Sequence, residues 1–188
     1  PLKVVKVDSE TGAAVPYPAS WRIIDCSTGK AVSMTTHYPV TQTFDVFTSD
    51  DQGRLTLPEK LPYGEYELRE VAAPANGGTG YLLNPQNVRF YTADGYSWGN
   101  PLEIVFADAP AKGRIEIMKA DAYTGDPVEA ATYVIQATED IYTLDGTPRA
   151  ANGEIVDTVT TDAAGYAVSK ELYLGHYDVV EAISPEGL

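Results

Sequence analysis

The stretch FTSDDQGRLTLPEKLPYGEYELREVAAP, residues 47–74, returns later in the chain as VTTDAAGYAVSKELYLGHYDVVEAISP, residues 159–185. Asp50 matches Asp162, Gly53 matches Gly165 and Gly64 matches Gly175. Tyr66 then matches Tyr177, Glu70 matches Glu181 and Pro74 matches Pro185. Working outward, VKVDSETGAAVP near the start returns as MKADAYTGDPVE, which sets Lys6 against Lys119. Two separated blocks that recur at nearly constant spacing mark an internal repeat, and therefore two homologous modules.

The seam falls near ADAPAKGR, residues 107–114, where a proline and a glycine interrupt two strand-like runs. The predicted modules are residues 1–111 and 112–188. A linker this short predicts modules standing end to end with limited bending.

Within each module, short runs of alternating apolar and polar residues are broken by turn signals. LKVVKV, SWRIID, FDVFTS, GRLTL, EYELREV, NVRFYT and LEIVFAD read as strands in the first module. RIEIMKA, TYVIQAT, DTVTTD, YAVSK and YDVVEA read as strands in the second. Turns such as DSETG, SDDQG, DAYTG and LDGT supply glycine where a positive φ is needed. No amphipathic helix longer than a turn or two is found. Seven short strands in about 110 residues predict an all-β, Ig-like two-sheet sandwich, without the Cys…Trp…Cys signature of antibody domains.

Strand parity singles out the charged residues that face the wrong way, because alternate side chains point to opposite sides of a sheet. Leu2 and Val4 share a face with Lys6. Tyr66 and Leu68 share one with Glu70, while Glu65, Glu67 and Arg69 take the other side. Leu102, Ile104 and Phe106 share one with Asp108. The second module repeats the pattern, with Ile115 and Ile117 beside Lys119, and Tyr177 and Val179 beside Glu181. A buried charge is costly unless paired or neutralised.

Two readings are open at this point. One is a buried ion cluster of Lys6, Glu70 and Asp108 that holds strand register. The other is a covalent amide between Lys6 and Asp108. In a dry core a lysine pKa falls and a carboxyl pKa rises, so an uncharged amine can meet a protonated acid. In that reading Glu70 hydrogen-bonds and polarises the Asp108 carboxyl and shuttles protons as water leaves. A folded core supplies the effective concentration for so slow a reaction.

The residues VKVDSETG followed by YGEYELREVAAP, and MKADAYTG followed by YLGHYDVVEAISPEG, resemble the Cna B-type or SpaA-type (prealbumin-like, Ig-like) repeats of Gram-positive surface adhesins and pilins. The clearest motif is the Tyr-x-Leu-x-Glu box ending in a proline: Tyr66, Leu68, Glu70 and Pro74. The second module keeps Tyr177, Glu181 and Pro185, with Val179 in place of the leucine. The resemblance implies an intramolecular isopeptide bond between Lys6 of the first strand and Asp108 of the last, with Glu70 assisting. Asp108 stands where pilins more often carry Asn, so water replaces ammonia as the leaving group. The loop ANGGTGY, residues 75–81, is longer than the Pro-x-Gly-Tyr usual in the family, although Tyr81 still follows.

Glu70 precedes Asp108 by a whole strand and its connections, whereas Glu181 stands close to Leu188. The second module is therefore expected to lack its last strand, to leave Lys119 and Glu181 unreacted, and to present an open edge capable of strand capture. Asn152, in the turn-like RAANGE, is a weak alternative partner for Lys119.

The chain has 188 residues and a net charge of −14 from 27 acidic and 13 basic residues. So acidic a surface repels phosphate backbones and anionic lipids, which argues against nucleic acid and membranes as partners. No apolar run reaches the roughly 18 residues of a membrane span, and PLKVVKVD lacks the pattern of a signal peptide. Cys26, the single cysteine, cannot form an internal disulfide and reads as a structural thiol. His37 and His176 are the only histidines, and no nucleophile elbow, HExxH or phosphate-cradling loop occurs, so turnover catalysis is not expected. The acidic SDDQG reads as a turn without the ligand count of a calcium loop. No cofactor and no metal are expected. The expected partners are neighbouring modules of the same surface protein. The expected location is the extracellular, cell-wall-associated surface of a Gram-positive bacterium. Tyr91, Tyr96 and Trp98 in FYTADGYSWGNP offer an alternative, an aromatic loop that binds a host glycan or matrix protein directly.

Overall fold

The computed structural model describes residues 1–93 and 95–184. Pro185, matched above to Pro74, lies outside the described residues. By its internal contacts the chain divides into two compact units, Pro1–Pro110 and Ala111–Leu188.

The first unit runs through β1 (Leu2–Asp8), β2 (Ser20–Asp25), β3 (Met34–Thr36), β4 (Gln42–Phe44), β5 (Phe47–Thr48) and β6 (Arg54–Thr56). It continues through β7 (Gly64–Ala72), β8 (Ala75–Asn76), β9 (Thr79–Gly80), β10 (Val88–Thr92) and β11 (Leu102–Asp108). One sheet has the order β11-β1-β6 and the other β10-β7-β2-β5. β1 is antiparallel to β6 but parallel to β11, with Leu2 opposite Leu102 and Asp8 opposite Asp108. Strands paired in parallel cannot be joined by a tight turn, and this pairing sets the first and last strands of the unit side by side, with its two termini at opposite ends of the pair.

The alternation read from the sequence explains which faces meet. Leu2, Val4, Leu55, Ile104 and Phe106 from one sheet pack with Trp21, Ile23, Phe47, Tyr66, Leu68 and Phe90 from the other. Trp21 meets Phe106 edge-on, with ring centroids 5.8 Å apart. The run FDVFTS does not form a single strand. It breaks at Asp45–Val46, so that β4 pairs with β3 in a side hairpin while β5 joins the sheet beside β2. The long loop after Pro74 forms a small hairpin, β8 with β9, which ends where Tyr81 N–H donates to Pro74 O at 3.0 Å.

The second unit contains β12 (Lys112–Gly113), β13 (Glu116–Met118), β14 (Thr132–Ala137), β15 (Ile141–Tyr142) and β16 (Pro148–Ala150). β17 (Ile155–Thr160), β18 (Tyr166–Val168), β19 (Leu172–Tyr173) and β20 (Tyr177–Ile183) follow. β14 lies between β17 and β20, as β2 lies between β5 and β7, and β13 pairs with β18 as β1 pairs with β6. Among the described residues, no strand stands beside β13 in the place that β11 takes beside β1.

One glycine in each unit is required by position. Gly53 has φ 71° and Gly165 has φ 71°, the left-handed region where a side chain is disfavoured. A Cβ at Gly53 would lie 2.0 Å from Val15 O, and one at Gly165 would lie 2.3 Å from Lys119 O. The same turns anchor the two lysines, because Lys6 N–H donates to Gly53 O at 2.9 Å and Lys119 N–H donates to Gly165 O at 2.8 Å.

Candidate functional site

Lys6, Glu70 and Asp108 come from three strands, β1, β7 and β11, and so from both sheets. Inward parity on each strand brings them together at one end of the core. The Lys6 ammonium nitrogen lies 2.8 Å from Glu70 Oε1 and makes a closer contact with Asp108 Oδ1. All three side chains are fully withdrawn from solvent. Lys6 Nζ sits 4.5 Å from the centroid of Phe106 and 6.0 Å from that of Trp21, so aromatic faces fill the rest of its surroundings.

Burial pushes the Asp108 carboxyl up to about 7, with Lys6 opposing the rise and the nearby Glu70 charge adding to it. Near neutral pH a substantial fraction of Asp108 is therefore protonated, the form in which a carboxyl carbon accepts an amine. Glu70 is engaged at both of its oxygens. Its Oε1 faces Lys6, and its Oε2 accepts the Asn84 backbone N–H at 2.9 Å. Asp108 Oδ1 is held by the Lys6 ammonium, and Glu70 bears on the same carboxyl. The carboxylate of Glu70 thus stands against the amine and also beside the acid, whose pKa it helps to raise.

A third buried carboxyl joins the arrangement. Asp8 shares the inward parity of Lys6 and is fully buried. Its Oδ1 accepts the N–H groups of Glu10 and Thr11, which closes the turn after β1, and its Oδ2 accepts the Tyr81 hydroxyl at 2.7 Å. Asp8 was legible in the same parity argument as Lys6. Asn84 was not, because its contact with Glu70 depends on the path of a loop.

In the second unit Lys119 and Glu181 also meet, at 3.3 Å, but their side chains keep 28% and 29% of their exposure. Ile115 and Ile117 are only half-buried. Asn152 lies in an exposed turn, with its N–H donating to Asp140 Oδ1. Among the described residues, no acid from a further strand stands where Asp108 stands beside Lys6.

The remaining candidates are dispersed. In the aromatic loop Tyr91 and Trp98 are exposed, whereas Tyr96 is buried, and the adjoining cleft of about 170 Å³ falls short of the ~300 Å³ at which ligand pockets begin. His176 is 83% exposed, with Nδ1 2.7 Å from Glu139 Oε1. Cys26 is a free, half-buried thiol. Asp50 Oδ1 caps the SDDQG turn by accepting the N–H groups of Gln52 and Arg54.

The family described as SpaA, prealbumin-like fold domain, matches residues 1–98 and 113–188. The chain belongs to the SpaA prealbumin-like domain family. The two matched segments correspond to the two repeats, and the all-β tandem Ig-like architecture agrees with them. Among solved structures, the TIE protein of Bacillus anthracis is similar at 24% identity and a TM-score of 0.57. The similarity covers 97% of this chain but 28% of that one. The shaft pilin SpaA of Lactobacillus rhamnosus GG aligns at 13% identity and TM-score 0.39, covering 99% of this chain and 88% of that one. The major pilin subunit of Bacillus cereus aligns at 16% identity and TM-score 0.46, covering 100% and 60%. No curated protein matches this chain.

Proposed function

We propose that this chain is a non-catalytic structural segment of a Gram-positive surface adhesin or pilin. Its first unit is locked by a self-formed amide between Lys6 Nζ and Asp108 Cγ. The observation that carries this reading is a lysine packed among aromatic rings and held between two carboxyls, all withdrawn from water. The Nζ–Cγ bond forms, a Cγ–O bond breaks, and one water leaves. Glu70, against the amine, takes a proton from Nζ and passes it to the departing hydroxyl. The reaction occurs once per molecule.

The benefit is mechanical. β1 and β11 are parallel neighbours, so tension applied at the two ends of the unit shears them along their length. With the amide in place, the path of force runs from residues 1–6 through the bond to residue 108 onward and bypasses the sandwich. Unfolding then has to break a covalent bond, which suits a spacer that holds other domains away from a cell wall. The neighbours in such an assembly would be other modules of the same surface protein, at an extracellular, cell-wall-associated site. The exposed Tyr91 and Trp98 are what favour the alternative of direct adhesion to a glycan or matrix protein, and a glycan and matrix-protein array tests it.

Intact mass under denaturing conditions tests the bond. The full chain is expected to be lighter than its sequence by about 18 Da, one water, and Lys6→Ala and Glu70→Ala are expected to have full mass. A parent chain of full mass overturns the proposal. A deficit twice as large would show that the second unit also reacts.

A further inference from the structure

We infer that Asn84 is a positioning residue for the crosslinking step, and that the segment Tyr81–Asn84 is the strap that aligns the reacting groups. This rests on the Lys6–Asp108 reading above and assigns a part of the machinery that neither the repeat nor the glutamate box contains.

Asn84 touches both sides of the reaction. Its backbone N–H donates to Glu70 Oε2 at 2.9 Å, which leaves Oε1 to face the Lys6 amine. Its side-chain Nδ2 donates to Ala107 O at 2.8 Å, on the residue immediately before Asp108. Its Oδ1 accepts the Gln86 N–H at 2.9 Å, which fixes the side chain in that pose. A single residue thus ties the proton-shuttling carboxylate on β7 to the backbone that carries the electrophile on β11. A carboxylate with one oxygen held by an N–H cannot swing about its last torsion, so Oε1 stays aimed at Nζ.

The rest of the strap fastens the end of β11. Leu82 N–H donates to Ala109 O at 2.9 Å, one residue beyond Asp108, and Tyr81 bridges to Pro110. Tyr81 then reaches back to Asp8 Oδ2 on β1. Bonds to residues 107 and 109 bracket Asp108 on both sides, and the Tyr81–Asp8 bond ties the same segment to the strand that carries Lys6. Reactions between groups held in place are sensitive to misplacement of about 1 Å, which costs on the order of 100-fold in rate. A strap spanning all three strands controls that placement.

The test is the rate of bond formation in the full chain. The chain is synthesised in a short cell-free pulse, quenched into denaturant at successive times, and scored for the mass loss of one water. Asn84→Ala is expected to slow the loss about 10- to 100-fold relative to the parent. Asn84→Asp keeps the acceptor for Gln86 but loses the donor to Ala107 and sets a second negative charge beside Glu70. It is expected to slow the reaction and to move its pH–rate profile to higher pH. Thermal unfolding of the same substitutions in a Lys6→Met chain, which cannot react, reports their effect on the fold alone. A parent that loses no water overturns the crosslink reading itself. A parent that reacts while both variants keep its rate and pH profile overturns only the role of Asn84. Rate losses that merely track the fraction of unfolded chain also overturn it.

Discussion

The two units carry the same local devices and differ in what covers them. Asp8 caps Glu10 and Thr11 as Asp121 caps Tyr123 and Thr124, through one carboxyl oxygen each. Asp50 caps its turn as Asp162 caps the corresponding one. The Tyr66 hydroxyl donates to Pro62 O and the Tyr177 hydroxyl to Tyr173 O, four residues back in both cases. Lysine and glutamate meet in both units as well, at 2.8 Å and 3.3 Å. Yet Lys6 and Glu70 are dry, while Lys119 and Glu181 keep more than a quarter of their exposure. In the first unit β11 lies beside β1, and β10 lies beside β7. The comparison teaches that a motif delivers the lysine–glutamate pair, while its burial and the neighbouring acid come with the strand β11.

The largest expected difference is in stability. Lys6→Ala would remove the proposed crosslink closing a loop of about 100 residues, for which the loop-entropy model gives ~4–5 kcal/mol, and it leaves two carboxyls facing each other in a dry core. Urea unfolding of the first unit should report a loss of at least that size. An effect as small as that of Lys119→Ala would break the comparison.

The second expectation concerns pH. In a Lys6→Met chain Asp108 stays an acid whose folded pKa is raised from 3.8 to about 7 or beyond, since the lysine that opposed the rise is gone. Between about pH 4 and 7 the folded state holds a proton that the unfolded state has released, so raising the pH through this window favours unfolding. The contribution is complete below about pH 4 and lost above the folded pKa. At about 1.4 kcal/mol per pKa unit it is on the order of 4 kcal/mol. The difference in stability between Lys6→Met and Lys6→Met/Asp108→Asn, followed across pH, isolates it. A flat difference would mean that Asp108 ionises normally. Lys119→Met should show no such window.

Where the units agree, they should respond alike. Gly53→Ala and Gly165→Ala each place a Cβ within 2.3 Å of a backbone oxygen in a left-handed turn. Each should cost its own unit about 2–4 kcal/mol by calorimetry, from left-handed strain and steric overlap. A large effect in one and none in the other would show that the turns are not equivalent. The smallest effect belongs to Lys119→Ala, which breaks a partly solvated pair and should cost less than about 1 kcal/mol in urea unfolding.

Much of the fold could be read from the chain because strands and turns are local. The inward row of Leu2, Val4 and Lys6 follows from period-2 geometry, and the turn glycines follow from the φ they must adopt. FDVFTS was misread for the opposite reason. Whether Phe44 continues the strand of Phe47 depends on β3, which competes for its backbone. Glu67 shows the same limit. Its parity points it away from the core, but Arg69 and Arg89 close over it and leave it buried.

By itself the sequence determined that there are two repeats, that both are sandwiches of short strands, and that Lys6, Glu70 and Asp108 point inward. Parity and turn chemistry act over a few residues and do not depend on what packs above them. Only the tertiary structure decided that the three residues meet at one point, that Glu70 faces the amine, and that Asn84 bonds both Glu70 and Ala107. It also decided that the same lysine and glutamate stay half-wet in the second unit. Burial and loop path are set by residues distant in sequence. Whether a carboxyl is an acid near neutral pH depends on water being excluded by a strand a hundred residues away.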